Sequence, residues 1–191
     1  MYTLILFLIF ILGSIIGSFL NVVIFRINTG RSFVKGSSMC MSCGHGLRWF
    51  ELVPIFSYLF QVGKCRKCKS KISLQYPIVE FITGLIFVVI SFKFLPYLIF
   101  SKSLYFLFTF LFLLIFSILI VVFVYDMKHK IIPNQLSYLF SILSFVSLIV
   151  GLYSFGMLFT WAGLLSVLSG PILALPFVLL SYFSKGKLMG M

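Results

Sequence analysis

Acidic residues are almost missing from this chain. Its 191 residues hold three Asp or Glu against 15 Lys or Arg, with two histidines and two tryptophans. Charged residues make up 9% and hydrophobic ones 62%, and the mean hydropathy is +1.21. So little charge excludes a soluble globular domain of this length, because its polar residues could not cover the surface; the bilayer is the main solvent. The first apolar run also lacks a basic residue ahead of it and a small-residue cleavage site within it. It therefore does not read as a cleaved signal peptide. Nothing resembles a groove-reading module, which sets nucleic acid aside as a partner despite the net charge of +12.

What the chain does have is long apolar sequence. Five stretches, 4–25, 74–92, 104–124, 136–153 and 157–183, span or nearly span a bilayer. The last is over-long and carries Gly163, Gly170, Pro171 and Pro176, so a kink or break is expected there, supported by neighbouring protein. The expected fold is an all-α polytopic membrane protein with about five transmembrane helices. Charge placement sets its orientation. Arg26, Arg31, Lys35, Arg48, Lys64, Arg66, Lys67, Lys69 and Lys71 lie between the first and second stretches. Lys128 and Lys130 follow the third, and Lys185 and Lys187 follow the fifth; only Lys93 and Lys102 fall on the opposite side. By the positive-inside rule the N-terminus is expected outside, with the large basic loop and the C-terminus cytoplasmic. The net charge then serves attraction to anionic lipid head groups.

The three acids are Glu51, Glu80 and Asp126, all expected near the cytoplasmic interface. An ionisable residue at or inside a membrane span is a functional candidate by default. Each also has a plainer reading. Asp126, in VYDMKHKIIPN, could pair weakly with Lys128 or Lys130. Glu80 follows Pro77 at a helix start, where the helix dipole favours negative charge. Glu51, in RWFELVPIFSYL, is expected to be an ordinary solvated loop residue.

Cys40, Cys43, Cys65 and Cys68 form C-x2-C, a 21-residue gap and a second C-x2-C. Two knuckles each presenting two thiolates complete a closed tetrahedral zinc site, and glycine and lysine flank them where the backbone bends. A cytoplasmic loop is reducing, which argues against disulfides. Four protein ligands leave no open position, so the zinc is expected to be structural. His45 is expected to be a loop residue beside a knuckle, not a fifth ligand, and His129 a solvated interface histidine.

GSIIGSFLNVVIFRI (Gly13–Ile27), the paired knuckles, ELVPIFSYL, GKCRKC, ISLQYPIVEFITG and YDMKHKIIPN occur in this order. Together they closely resemble the type IV prepilin peptidases, bifunctional leader peptidase/N-methyltransferases serving type IV pili, type II secretion and DNA-uptake competence. The resemblance implies a membrane aspartic protease of the bacterial inner membrane. Such an enzyme removes the basic leader of type IV prepilins or pseudopilins and methylates the new N-terminus with S-adenosylmethionine. It implies Asp126 as the first catalytic aspartate and Glu80 as the motif glutamate of the methylation-associated module. That module would occupy residues 1–92, and the peptidase membrane domain 103–191. In the family the second aspartate lies in a G-x-G-D motif, with Gly190 matching its first glycine and Met191 its variable position. The chain is therefore expected to be truncated just before that acid and, alone, to cleave no prepilin.

Two rivals stand beside the enzyme. One is a non-catalytic membrane scaffold stabilised by the zinc loop. The other is a transporter, disfavoured because the acids sit at the interface and no internal repeat is apparent. No glycine-rich soluble cofactor fold is visible, and nothing in the sequence indicates an oligomeric state.

Overall fold

The computed structural model describes residues 2–183 except 28, 31, 34, 35 and 37. Its helices are α1 (Tyr2–Arg26), α2 (Phe56–Phe60), α3 (Gln75–Phe94), α4 (Tyr97–Phe100), α5 (Lys102–His129), α6 (Asn134–Ser154) and α7 (Trp161–Phe183), with a 3-10 turn at Trp49–Glu51. Among the described residues extended backbone pairs only at two isolated bridges, Met39 with Gly46 and Lys64 with Lys71. The all-α expectation is borne out. Helices α1, α3, α5 and α6 are long and apolar enough to cross a membrane, and α7 adds a further apolar helix.

Local chemistry sets several helix ends. Ser101 caps α5, its hydroxyl accepting the Leu104 N–H at 3.5 Å. At the other end Lys130 turns left-handed at φ 58° and donates its N–H to the Asp126 carbonyl at 2.7 Å. Lys128 and His129 in that last turn complement the helix dipole. Of the kink or break expected in the final stretch, the break does not occur, since α7 runs through both Pro171 and Pro176. A proline removes one N–H and crowds one carbonyl, a local cost that the rest of an apolar helix in lipid survives. The shortening falls instead at the start. Thr160 accepts the Gly163 N–H at 3.1 Å as an N-cap, and a Cβ at Gly163 would collide with the Met157 carbonyl.

The chain divides into two compact units between Leu143 and Ser144. In the first unit α1 packs intimately on α3. A Cβ on Gly17 would stand 2.8 Å from Glu80 Cα, and one on Gly13 would stand 2.8 Å from Gly84 Cα. Lipid tails are as apolar as the helices, so close backbone approach and interhelical hydrogen bonds must hold this pair. Asn21, 1% exposed, donates to the Gly17 and Tyr76 carbonyls at 3.3 Å each and accepts from Gln75 at 3.4 Å. Leu20, Ile24, Val79, Ile120 and Val121 complete a core shared by α1, α3 and α5.

These contacts bring three helix ends together. The Phe25 ring stacks on Tyr76 at 5.1 Å, joining the end of α1 to the start of α3. The Lys128 ammonium lies 4.3 Å from the centre of the Phe25 ring, drawing in the end of α5. The long loop between α1 and α3 therefore starts and finishes at the end of the bundle where Asp126 lies.

Candidate functional site

The loop folds as two equivalent knuckles. In the first, Gly44 N–H meets the Cys40 carbonyl and Cys40 N–H meets the His45 carbonyl, each at 2.9 Å. In the second, Lys69 N–H meets the Cys65 carbonyl and Cys65 N–H meets the Ser70 carbonyl, again at 2.9 Å. The fourth residue after each leading cysteine is left-handed, Gly44 at φ 68° and Lys69 at φ 60°. Only the first knuckle carries the glycine this conformation favours.

The knuckles bring all four sulfurs within 4.8 Å of one another. A zinc tetrahedron with Zn–S near 2.3 Å has sulfur–sulfur edges of about 3.8 Å, and the Cys40 and Cys68 sulfurs stand 3.8 Å apart. A disulfide would need about 2.05 Å; all four cysteines are free. The electrostatics agree with a metal. The Cys43 and Ser42 backbone N–H groups hold the Cys40 thiol down at about 6. The Ser70 hydroxyl and backbone lower Cys68 as well. Cys43 is lowered by the His45 backbone but raised further by desolvation and by the Cys68 and Cys40 sulfurs, ending at about 11. Four crowded sulfurs leave room for a compact cation between them, and the donor set fits a structural zinc.

Beside the centre lies a cavity of about 620 Å³. Ser18 and Phe25 of α1, Cys40 and Cys65 of the knuckles, Tyr58 of α2, and Tyr76 and Glu80 of α3 line it together with Glu51. Two of the three acids thus face one space. Glu80 is buried, and its Oε2 accepts the Ile55 N–H at 2.7 Å. That donor is held by an unusual turn. Ile55 has φ 62° and ψ −54°, and Phe56 N–H reaches back to the Pro54 carbonyl at 2.6 Å. This is a positive-φ γ-turn centred on a β-branched residue, a rare and strained conformation.

The expectation that Glu51 is a solvated loop residue is overturned. Its side chain is 2% exposed, with Oε2 accepting the Arg48 N–H at 2.9 Å and standing 3.9 Å from His45 Nε2. The carboxylate caps the 3-10 turn and is drawn inward by it. His45 remains beside the knuckle, pointed at Glu51, and the metal cluster consists of cysteines alone. Ile55 and the cavity were not visible in the sequence. Arg48-x-x-Glu51 was a faint capping signal, masked because arginine is a poor N-cap residue.

Asp126 is half-buried near the end of α5 and is absent from the lining of the cavity. Among the described residues His45–Glu51 is the only ion pair, so neither Lys128 nor Lys130 pairs with Asp126. Lys128 is engaged over Phe25 instead. His129 is exposed, but its ring stacks on Tyr125 with centroids 4.4 Å apart. Gly190, the approach to the second motif, lies outside the described residues, as do Met191, Lys185 and Lys187.

Helices that cross a membrane and a four-cysteine loop between the first two define a polytopic membrane protein with a metal-fitting knuckle domain. The family model for the Bacterial Peptidase A24 N-terminal domain matches residues 11–94, which contain both the knuckles and the cavity. The chain is 49% identical over 78 residues to the prepilin leader peptidase/N-methyltransferase of Myxococcus xanthus, covering 41% of this chain and 23% of that protein. It is 36% identical over 144 residues to the protein of that name from Vibrio cholerae, covering 71% and 53%. With the Bacillus subtilis protein it shares 35% over 129 residues, covering 68% and 48%. Residues 11–94 thus match the N-terminal domain of this prepilin peptidase family, and the resemblance extends over the greater part of the chain. It spans about half the length, or less, of these curated relatives. No solved structure matches it.

Proposed function

We propose that this protein works as a prepilin leader peptidase/N-methyltransferase at the inner face of the bacterial cytoplasmic membrane. It removes the basic leader of type IV prepilins or pseudopilins and methylates the exposed N-terminus with S-adenosylmethionine, serving pilus, type II secretion or competence systems. The convergence of four thiols inside the segment matched by the family carries this reading. Residues 1–92 form the methylation-associated module, and 103–191 belong to the peptidase domain. The N-terminus is outside, and the knuckle loop and Asp126 face the cytoplasm. Zinc held by Cys40, Cys43, Cys65 and Cys68 supplies a fold and not a reaction centre.

A prepilin keeps its apolar segment in the bilayer and its leader in the cytoplasm, so the scissile bond meets the helix ends that hold Asp126. Hydrolysis needs two carboxylates sharing a proton: the ionised one activates water, and the protonated one polarises the carbonyl and helps the amine leave. Asp126 is one of them; in the family the other is the aspartate of a G-x-G-D motif, whose first glycine Gly190 matches. Glu51 and Glu80 do not serve, since both face the cavity that Asp126 does not line. The basic face of the protein repels a basic leader, so recognition rests on helix packing and contacts near the cut.

Membranes from cells producing the intact protein with a prepilin test this reading. Asp126→Asn is expected to lower leader removal at least about a thousandfold while methylation of a pre-cleaved pilin continues. Wild-type cleavage by Asp126→Asn would overturn the peptidase assignment. Absence of both reactions from the wild-type protein would favour the scaffold.

A further inference from the structure

We propose that the cavity beside the knuckles is the binding site for the methyl donor, a compact organic cation, and that Glu51 and Glu80 hold its positive groups. The proposal rests on the methyl-transfer reading above and names the site for it.

The charge pattern of the cavity carries the inference. Two of the chain's three carboxylates line it, both buried, and each is fixed through Oε2 on a backbone N–H, of Arg48 or of Ile55. Among the described residues neither has a lysine or arginine at ion-pair distance; the only ion-pair partner is His45, 3.9 Å from Glu51. Buried carboxylates with so little local compensation favour a cationic guest. The walls suit one as well. The stacked pair Phe25 and Tyr76, together with Tyr58, presents aromatic surface to the space, and aromatic faces attract cations.

Basic groups are present but set apart. Lys71 lines the cavity from an exposed position, while the half-buried Arg26 donates to the Ser32 carbonyl at 2.6 Å. Buried negative and more exposed positive charge match a molecule with cationic groups at one part and a carboxylate at another. S-adenosylmethionine carries a sulfonium, an ammonium and a carboxylate. The volume of about 620 Å³ lies within the usual range for small-molecule sites. The metal centre forms part of the wall, since Cys40 and Cys65 line the same space; zinc therefore shapes the site without entering the reaction.

Equilibrium binding of S-adenosylmethionine, and of its thioether product S-adenosylhomocysteine, to the intact zinc-loaded protein in lipid nanodiscs tests the proposal. Glu51→Gln and Glu80→Gln are each expected to weaken the sulfonium donor at least about tenfold. The thioether should be weakened less, because it lacks the sulfonium charge. Zinc content and melting temperature establish that the variants fold. If either loses zinc, Val22→Phe, which fills the cavity from α1 without changing charge, is expected to weaken both ligands several-fold. Wild-type donor binding by folded variants would overturn the assignment. Methyl transfer to a pre-cleaved pilin, measured on the same samples, separates the two failures. No transfer by the wild-type protein sinks the reading beneath the proposal, whereas undiminished transfer by both glutamine variants sinks the proposal alone.

Discussion

Glu80 leaves its helix to meet a loop amide, and that one contact ties the membrane bundle to the knuckle loop. The donor, Ile55, sits at φ 62°, where glycine is at ease and proline cannot go. Ile55→Gly keeps the N–H and releases strain, so the protein should remain as stable as wild type or better. Ile55→Pro removes both the angle and the donor, at an expected cost of about 2–4 kcal/mol. Thermal unfolding in nanodiscs distinguishes them, and equal melting temperatures would show that the turn is unimportant. Lys69 offers a gentler case. It occupies in the second knuckle the left-handed place that Gly44 fills in the first, so Lys69→Gly should stabilise the zinc-loaded loop by about 0.5–1 kcal/mol. Slower metal loss to a competing chelator is the readout. At this scale the rarity of acids made Glu51 and Glu80 conspicuous in the sequence. The inward turn of Glu51 was not legible, because it depends on a 3-10 turn and a γ-turn with no strong local signature.

Among the elements, α1 and α3 depend on residues with almost no side chain. A Cβ on Gly17 would meet Glu80 Cα and the Thr83 hydroxyl at 2.8 and 2.9 Å, and backbone cannot swing aside as a long side chain can. Gly17→Leu should force the helices apart, lower the melting temperature by the equivalent of about 1–3 kcal/mol and weaken whatever the cavity binds. Unchanged stability would mean that the helices are not packed as described. The apolar stretches announced every long helix within a few residues, since length and hydropathy decide insertion. The start of α7 was misjudged for a local reason: Thr160 and Gly163 build a cap inside what reads as unbroken apolar sequence.

For the whole molecule, the metal centre predicts coupled chemistry. Cys40 is held at about 6 and Cys43 raised to about 11. Around pH 7.5 the first is therefore largely thiolate and the second largely protonated. Zinc uptake by the stripped protein should release at least about one proton, measurable by calorimetry in buffers of different ionisation enthalpy. Protons compete with the metal for sulfur, so zinc affinity should fall as pH falls. Proton-neutral uptake would mean that the thiols are not the ligands. Four cysteines at knuckle spacing made the convergence of the four sulfurs legible in advance, because the spacing itself constrains the backbone. The cavity was not, since its walls come from α1, both knuckles, α2 and α3 and meet only in three dimensions.

The order of those walls along the chain has a temporal consequence. All four cysteines that could hold the metal lie between Cys40 and Cys68, ahead of α3. On a ribosome, where chains emerge N-terminus first, all four cysteines leave the exit tunnel ahead of Tyr76 and Glu80. The four sulfurs can therefore meet before α3 is in place, and the Glu80 carboxylate is the later-arriving half of the bond to the Ile55 N–H.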